Sequence, residues 1–224
     1  MASRRDYIEE IVLKHSRLSR RRGIRKQFEE RLHKVVAGYR FVLSLKPGNP
    51  IRLELMKYAP IGYVACLEGY LRLCLKALID YGEPYVGRIA EIDGLRFDSR
   101  TVLAITKKKV SLGQYVSHVV RLRSLSDIND IFSLILGEDF IKAVKSIDYF
   151  ILANGERFQL KMPSFGDAEY RALEELFRLR NIFAHELAPR EKVKPNVVRS
   201  CIGAVASFYT SCDSLFQTKI PGKV

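Results

Sequence analysis

Residues 167–187 read DAEYRALEELFRLRNIFAHEL, and their apolar side chains recur at the spacing of an amphipathic α-helix. At about 100° per residue, four of them fall within roughly 60° of Leu173 and form one apolar stripe with it. Arg180 lies about 20° from the centre of that stripe. A guanidinium stays charged and is costly to bury alone, so we expect Arg180 either to meet an acid across the core or to line a polar cleft. The stripe consists of Leu173, Leu176, Phe177, Ala184 and Leu187.

Three further segments carry the same helical periodicity, at residues 24–45, 60–80 and 195–217. Together with 167–187 they predict an all-α fold built as an antiparallel four-helix bundle. Residues 81–166 would then be a helical insertion, with a small hairpin at 151–158 around the Asn154-Gly155 pair. Residues 1–50 form a basic N-terminal helical region, and we expect residues 1–224 to be one domain.

The charge balance favours polyanionic partners. The chain has 38 Lys and Arg against 25 Asp and Glu, a net charge of +13. This predicts nucleic acid as the first class of partner and an anionic membrane surface as the second, while a solubilising surface is the plain alternative. The first 40 residues hold 12 basic and 5 acidic side chains, or +7 of the total. Within this region a basic cluster is a candidate RNA-backbone contact, or else a solvated helix face; it consists of Arg20, Arg21, Arg22, Arg25 and Lys26.

Several other classes of protein have no support in the sequence. No apolar run reaches the roughly 20 residues of a membrane span, and the N-terminus does not resemble a signal peptide, so we expect a cytoplasmic protein without a membrane partner. The four cysteines form no CxxC pair and lie in apolar helical contexts, which predicts reduced core residues. The histidines are scattered, and no nucleotide-binding, zinc-protease, esterase or calcium-binding motif occurs, so we expect neither a metal nor a cofactor.

Glu68 is a second charge on an apolar face. It is the only charged residue between Pro60 and Arg72. By the same angular count it lies about 40° from Val64, inside the apolar sector of its helix. One interpretation is an exposed partner for Arg72, four residues further on. The other pairs Glu68 with Arg180, because each would otherwise be an unmatched charge facing a core.

The octapeptide Leu179–Glu186 closely resembles the Arg-x(4–6)-His signature of the HEPN ribonucleases, including the polar residue, here Asn181, that commonly follows the arginine. Glu68 resembles the acidic position that an earlier bundle helix carries in some members of that family. The resemblance covers the helices at 60–80 and 167–215 and leaves the first 50 residues and the insertion unexplained. It implies a four-helix bundle, a homodimer with a composite active site, metal-independent endoribonuclease activity, and a role as a prokaryotic toxin or antiphage-defence effector with an antitoxin or defence-system partner.

The residue types suit that chemistry. RNA supplies its own nucleophile, the 2′-hydroxyl, so His185 is expected to accept or donate a proton and Arg180 to stabilise the charge on the phosphate. Asn181 would hold a phosphate oxygen or orient the imidazole, and Glu68 would orient Arg180. The expected products are a 2′,3′-cyclic phosphate and a 5′-hydroxyl. Each residue also has a simpler interpretation: a buried ion pair for Arg180, a residue favoured by the helix dipole for His185, and a surface residue for Asn181. The rival function is a catalytically inactive HEPN-like RNA-binding or protein-interaction subunit.

Overall fold

A computed structural model describes residues 7–17, 23–147, 150–153, 156–159, 165–185 and 194–222, with only the backbone described at 14–17, 150–153, 156–159 and 185. The described chain is helical apart from one two-stranded antiparallel hairpin. Its elements are α1 (Tyr7–Arg17), α2 (Ile24–Ser44), α3 (Pro50–Met56), α4 (Tyr58–Tyr81), a 3₁₀ turn (Gly87–Glu91), α5 (Ser99–Thr106), α6 (Leu112–Val119), α7 (Leu125–Leu136), α8 (Phe140–Ser146), β1 (Phe150–Ala153), β2 (Glu156–Gln159), α9 (Asp167–His185) and α10 (Pro195–Lys219).

The four long helices α2, α4, α9 and α10 lie close to where the apolar periodicity predicts them. The predicted stripe of α4 is buried throughout, each residue being at most 1% exposed: Val64, Leu67, Leu71, Leu75 and Leu78. The predicted hairpin is present as well, and its register joins Ala153 to Glu156 across the Asn154-Gly155 pair. All four cysteines are buried and form no disulfide, as predicted.

The long helices pack side by side around a shared core. Phe28 of α2 lies 5.2 Å from Tyr70 of α4, between ring centroids, whereas Gly62 at the other end of that contact lies against Val35. These two contacts run in opposite directions along the two helices, so α2 and α4 are antiparallel. A Cβ built on Gly62 would stand 3.0 Å from a methyl group of Val35, closer than an ordinary contact, so the two helices approach tightly at this glycine.

Helix α10 is antiparallel to both α2 and α9. On the α2 side, the Tyr39 hydroxyl donates to the Pro195 carbonyl at the start of α10, at 3.2 Å. On the α9 side, the Cys201 thiol donates to the Ala172 carbonyl at 3.5 Å, and further along α10 the ring of Phe208 lies 5.0 Å from that of Phe165. Direct contacts therefore join α10 to the helices before and after the middle of the chain.

The region predicted as an insertion packs on the long helices. Phe132 of α7 stacks on Phe140 of α8 at 4.8 Å, and both rings lie within 6.0 Å of Phe216 on α10. The buried apolar residues of the middle region and of the long helices thus form one cluster. Side-chain caps delimit the short helices: Asp98, Ser111, Ser124 and Asp139 each accept a hydrogen bond from a backbone N–H in the first turn that follows. Gly137 ends α7 in the left-handed conformation (φ 74°).

Asp167 is the first residue of α9 and pairs with Lys145, while Glu169 accepts from the Gly166 N–H. The predicted apolar stripe of α9 is wrong at two positions. Ala184 is exposed, and Leu179, off the predicted stripe, is only 3% exposed. Helical spacing assumes one partner surface along the whole of α9, but this helix packs on α10, α4 and α7, so its buried face turns along its length. No helix in the described ranges is long and apolar enough to cross a membrane.

Candidate active site at the end of helix α9

The candidate site centres on Arg180, in the last two turns of α9. Its Nη2 donates to the Glu68 carboxylate on α4 and, at 3.3 Å, to the backbone carbonyl of Arg123. Its Nη1 donates to Asn181 Oδ1 at 2.9 Å, and the guanidinium carbon lies 5.8 Å from the centroid of the Phe177 ring. The structure therefore brings together Arg180, Asn181 and Glu68. It supports the pairing of Glu68 with Arg180 over the pairing with Arg72.

Arg180 is held by an ion pair, and the described contacts involve only some of its N–H donors. Its side chain is 13% exposed and that of Glu68 is 28% exposed, so the ion pair is partly shielded from water at an edge of the core. A guanidinium has five N–H donors in a fixed fork. Glu68, Arg123 and Asn181 take three of them within the described part of the chain. Among the described residues nothing accepts from the other two, Nε–H and one Nη1–H, and each can donate singly to a phosphate oxygen.

A second arginine, Arg72, holds the segment that precedes Arg123 against α4. Arg72 lies one turn after Glu68 on α4, and its Nη1 donates to the carbonyls of Ser117 and Val120, the latter at 3.2 Å. Burial lowers the pKa of Arg72 from its ordinary value, against the opposing effect of Glu68. Arg72 thus ties the C-terminal end of α6, and the segment that leads to Arg123, to α4. The spacing of four residues puts Glu68 and Arg72 on one face of α4, but it does not reveal the backbone carbonyls that Arg72 binds.

The Arg123 carbonyl is an acceptor that the sequence could not reveal. The backbone N–H of Arg123 donates to Asp127 Oδ2 at 2.9 Å, which fixes this turn before α7. The carbonyl then faces Arg180 and lies 3.3 Å from its Nη2. A backbone carbonyl has no residue type, so only the fold shows that it belongs to the site.

His185 is the last residue of α9, and its side chain lies outside the described atoms. The helical backbone nevertheless runs unbroken from Arg180 to His185. Five residues of helix correspond to roughly 7.5 Å along the axis and a rotation of about 140°. The two residues therefore lie at one end of the helix but on different sides of it.

The predicted basic cluster is only partly described. Arg20, Arg21 and Arg22 lie outside the described residues. Arg25 Nε donates to Glu29 Oε1 at 2.9 Å and its Nη1 lies 3.8 Å from Asp213 Oδ2, so this side chain is engaged within the protein. The hydrogen bond to Glu29 is the main reason that the pKa of Arg25 is raised. Lys26 is exposed.

Within the described ranges, no group of three or more His, Cys, Asp or Glu side chains is arranged to hold a metal ion. Comparison with known proteins found no matching family model, no matching curated protein and no matching solved structure.

Proposed function

We propose that this chain is a HEPN-type endoribonuclease that needs no metal ion, with Arg180 and His185 as its catalytic residues. The observation that carries the proposal is the state of Arg180: an acid on another helix holds it in place, two of its N–H donors have no partner among the described residues, and His185 follows five residues later on the same helix. Glu68 and Asn181 act as positioning residues.

The packing of the long helices supports this assignment. We assign α2, α4, α9 and α10 to the four helices of a HEPN bundle, and the antiparallel contacts of α10 with α2 and α9 suit that assignment. We take residues 81–166 as the insertion into this bundle and residues 1–50 as its basic N-terminal extension. The net charge of +13 suits an RNA substrate.

A homodimer completes the proposed site. Helix α3 and the start of α4 expose apolar side chains at helical spacing, with Ile51 64%, Leu55 37% and Tyr58 59% exposed. Such a stripe suits burial against a second copy of the chain. Two Arg–His sets would then face one cleft and supply a separate acid and base. The biological role we propose is that of a toxin or antiphage-defence effector in the prokaryotic cytoplasm, controlled by an antitoxin or defence-system partner.

The reaction transfers one phosphoryl group within the RNA. One imidazole accepts the proton of the 2′-hydroxyl while the 2′-oxygen forms a bond to phosphorus. The bond from phosphorus to the 5′-oxygen breaks, and a protonated imidazole gives its proton to that oxygen. Arg180 donates to the non-bridging oxygens as negative charge grows on them. The products are a 2′,3′-cyclic phosphate and a 5′-hydroxyl.

A substrate comparison tests this proposal. The purified chain is incubated in EDTA with a labelled RNA, with the same sequence carrying 2′-deoxy sugars, and with DNA. We expect cleavage of the RNA alone, with cyclic-phosphate and 5′-hydroxyl ends. Cleavage of the deoxy substrates, or products with 5′-phosphate ends, would contradict attack by the 2′-hydroxyl.

The second candidate is an inactive RNA-binding or protein-interaction subunit with the same fold. This alternative rests on the low exposure of Arg180 and its three protein contacts, which are those of a structural ion pair. It predicts RNA binding without cleavage, and binding that survives His185→Ala.

A further inference from the structure

A groove is lined by α5 and by α1, which packs on α6. It has a volume of about 550 Å³ and is bordered by Ile8, Val12 and Leu13 of α1 and by Leu103 of α5. Three of these side chains are strongly exposed for their type, with Val12 46%, Leu13 52% and Leu103 55% accessible. Exposed apolar residues that cluster across two helices indicate an interaction surface, whereas scattered ones do not.

The groove has a fixed shape because α1 is anchored from below. Ile11 is 2% exposed, and His118 Nε2 of α6 lies 3.1 Å from Glu10 Oε2. The ring of Tyr7 meets that of His118 edge-on at 5.8 Å. One face of α1 is thus used to hold the helix on α6, which leaves its other apolar residues turned toward α5.

The rim of the groove is positively charged. Lys107 and Lys109 border it, both are exposed, and within the described chain no carboxylate forms an ion pair with either. Arg100 also lies on the rim, where Glu9 approaches it at 3.4 Å. That pair is open to solvent on both sides and is weak, so it can be exchanged for a better one. The rim therefore has three cations against one acid.

We propose that this groove docks an acidic amphipathic helix of a partner protein. An apolar floor between two helices accepts residues spaced at i, i+3 or i+4 and i+7, and the basic rim selects carboxylates on the flanks of the incoming helix. The concave shape favours a helix over a membrane surface, which would need a convex or flat face. The site involves no residue of the proposed active site, so it stands or falls independently of the ribonuclease.

Fluorescence anisotropy on the full chain tests the proposal with three labelled 16-residue peptides. The first has leucines at helical spacing with glutamates on its flanks. The second has the same composition in an order that breaks the stripe, and the third replaces the glutamates with lysines. We expect the first to bind at least about tenfold more tightly than the others, since only it matches both the floor and the rim.

Protein variants locate the binding. Leu103→Glu and the double variant Lys107→Glu/Lys109→Glu should each weaken the first peptide by about fivefold or more, because they spoil the floor and the rim separately. The matched control is Phe41→Glu, at an exposed apolar residue of α2 that lines neither the groove nor the proposed dimer surface, and it should change the affinity by less than about twofold. Circular dichroism confirms that each variant is folded.

Three results would overturn the proposal. The first is equal or absent binding of the three peptides, and the second is binding that Leu103→Glu leaves intact. The third is that the first peptide does not bind, while vesicles of phosphatidylserine and phosphatidylcholine sediment the parent chain but not the groove variants. The last result would assign the groove to a lipid surface instead.

Discussion

Two arginines in this protein meet carboxylates between long helices, and their surroundings differ. Arg180 pairs with Glu68 between α9 and α4, and its side chain is 13% exposed. Arg25 pairs with Glu29 on its own helix and approaches Asp213 of α10, and its side chain is 62% exposed. Helical spacing pointed to Arg180 because it lies on an apolar stripe. Nothing comparable marked Arg25, which sequence reasoning placed with the RNA contacts.

The two ion pairs also differ in their carboxylates. Asp213 is 8% exposed, and within the described residues its Oδ1 has no hydrogen-bond partner. Burial raises the pKa of Asp213, while Arg25 acts in the opposite direction. Arg25 therefore compensates for a buried acid. At the other site Glu68 holds a guanidinium of which two N–H donors have no partner among the described residues.

The largest effect expected from this contrast is on RNA cleavage. Arg180→Ala should reduce the rate of cleavage by about 1,000-fold, because the donors to the phosphate oxygens are lost. Arg25→Ala should leave the rate within about twofold, since its contacts lie between α2 and α10. Single-turnover assays at saturating enzyme measure both rates. Equal losses in the two variants would mean that Arg180 is a structural residue only.

The next effect is on stability. Arg180→Ala and Glu68→Ala should each lower the free energy of unfolding by about 2 kcal/mol, because each leaves a partly buried charge without its partner. The double variant should lose clearly less than the sum, whereas the Arg25 and Glu29 pair should show a coupling below about 0.5 kcal/mol. Urea denaturation of the two cycles gives the coupling energies. A negligible coupling between Glu68 and Arg180 would contradict their pairing.

The dependence of stability on pH should single out Asp213. Its folded pKa is raised above the ordinary value of 3.8, so its contribution is fully present below that pH and is lost as the pH rises through the folded pKa. Asp213→Asn removes this loss. The change in unfolding free energy caused by the substitution should therefore be more favourable at pH 7 than at pH 4. We expect this difference to be smaller than the roughly 2 kcal/mol expected for Arg180→Ala. Unfolding curves at both pH values check the sign, and a variant penalised more at pH 7 would show that the contact with Arg25 dominates.

The smallest effect concerns RNA affinity along α2. Lys26→Ala should weaken binding of a single-stranded RNA by about twofold at low salt, because it removes one exposed cation from the basic cluster. Arg25→Ala should have less effect, since Glu29 and Asp213 already compensate its charge. Filter binding at two salt concentrations measures the RNA affinity of both variants. A stronger loss for Arg25→Ala would place it at the RNA interface after all.

The sequence predicted the long helices and the pairing of Glu68 with Arg180, for identifiable reasons. Stripes such as that of α4 face one core along their whole length, so helical spacing finds them. The burial predicted for Leu179 and Ala184 is wrong because α9 packs on several helices. A stripe derived from the spacing within one helix does not show that the neighbouring helix changes along its length. The anomaly of Arg180 and Glu68 was visible, because charges on apolar faces require partners. The Arg123 carbonyl and the contacts of Arg25 depend on how distant segments meet, and no local pattern carries that information.

The central claim is that an imidazole at position 185 moves the proton in RNA cleavage, and His185→Ala tests it most directly. Single-turnover cleavage of a labelled RNA in EDTA is measured for the parent chain, for His185→Ala and for His33→Ala, a control at an exposed histidine of α2. We predict that His185→Ala lowers the rate by about 100-fold to 10,000-fold with an unchanged circular dichroism spectrum, and that His33→Ala matches the parent. Undiminished cleavage by His185→Ala would contradict the account.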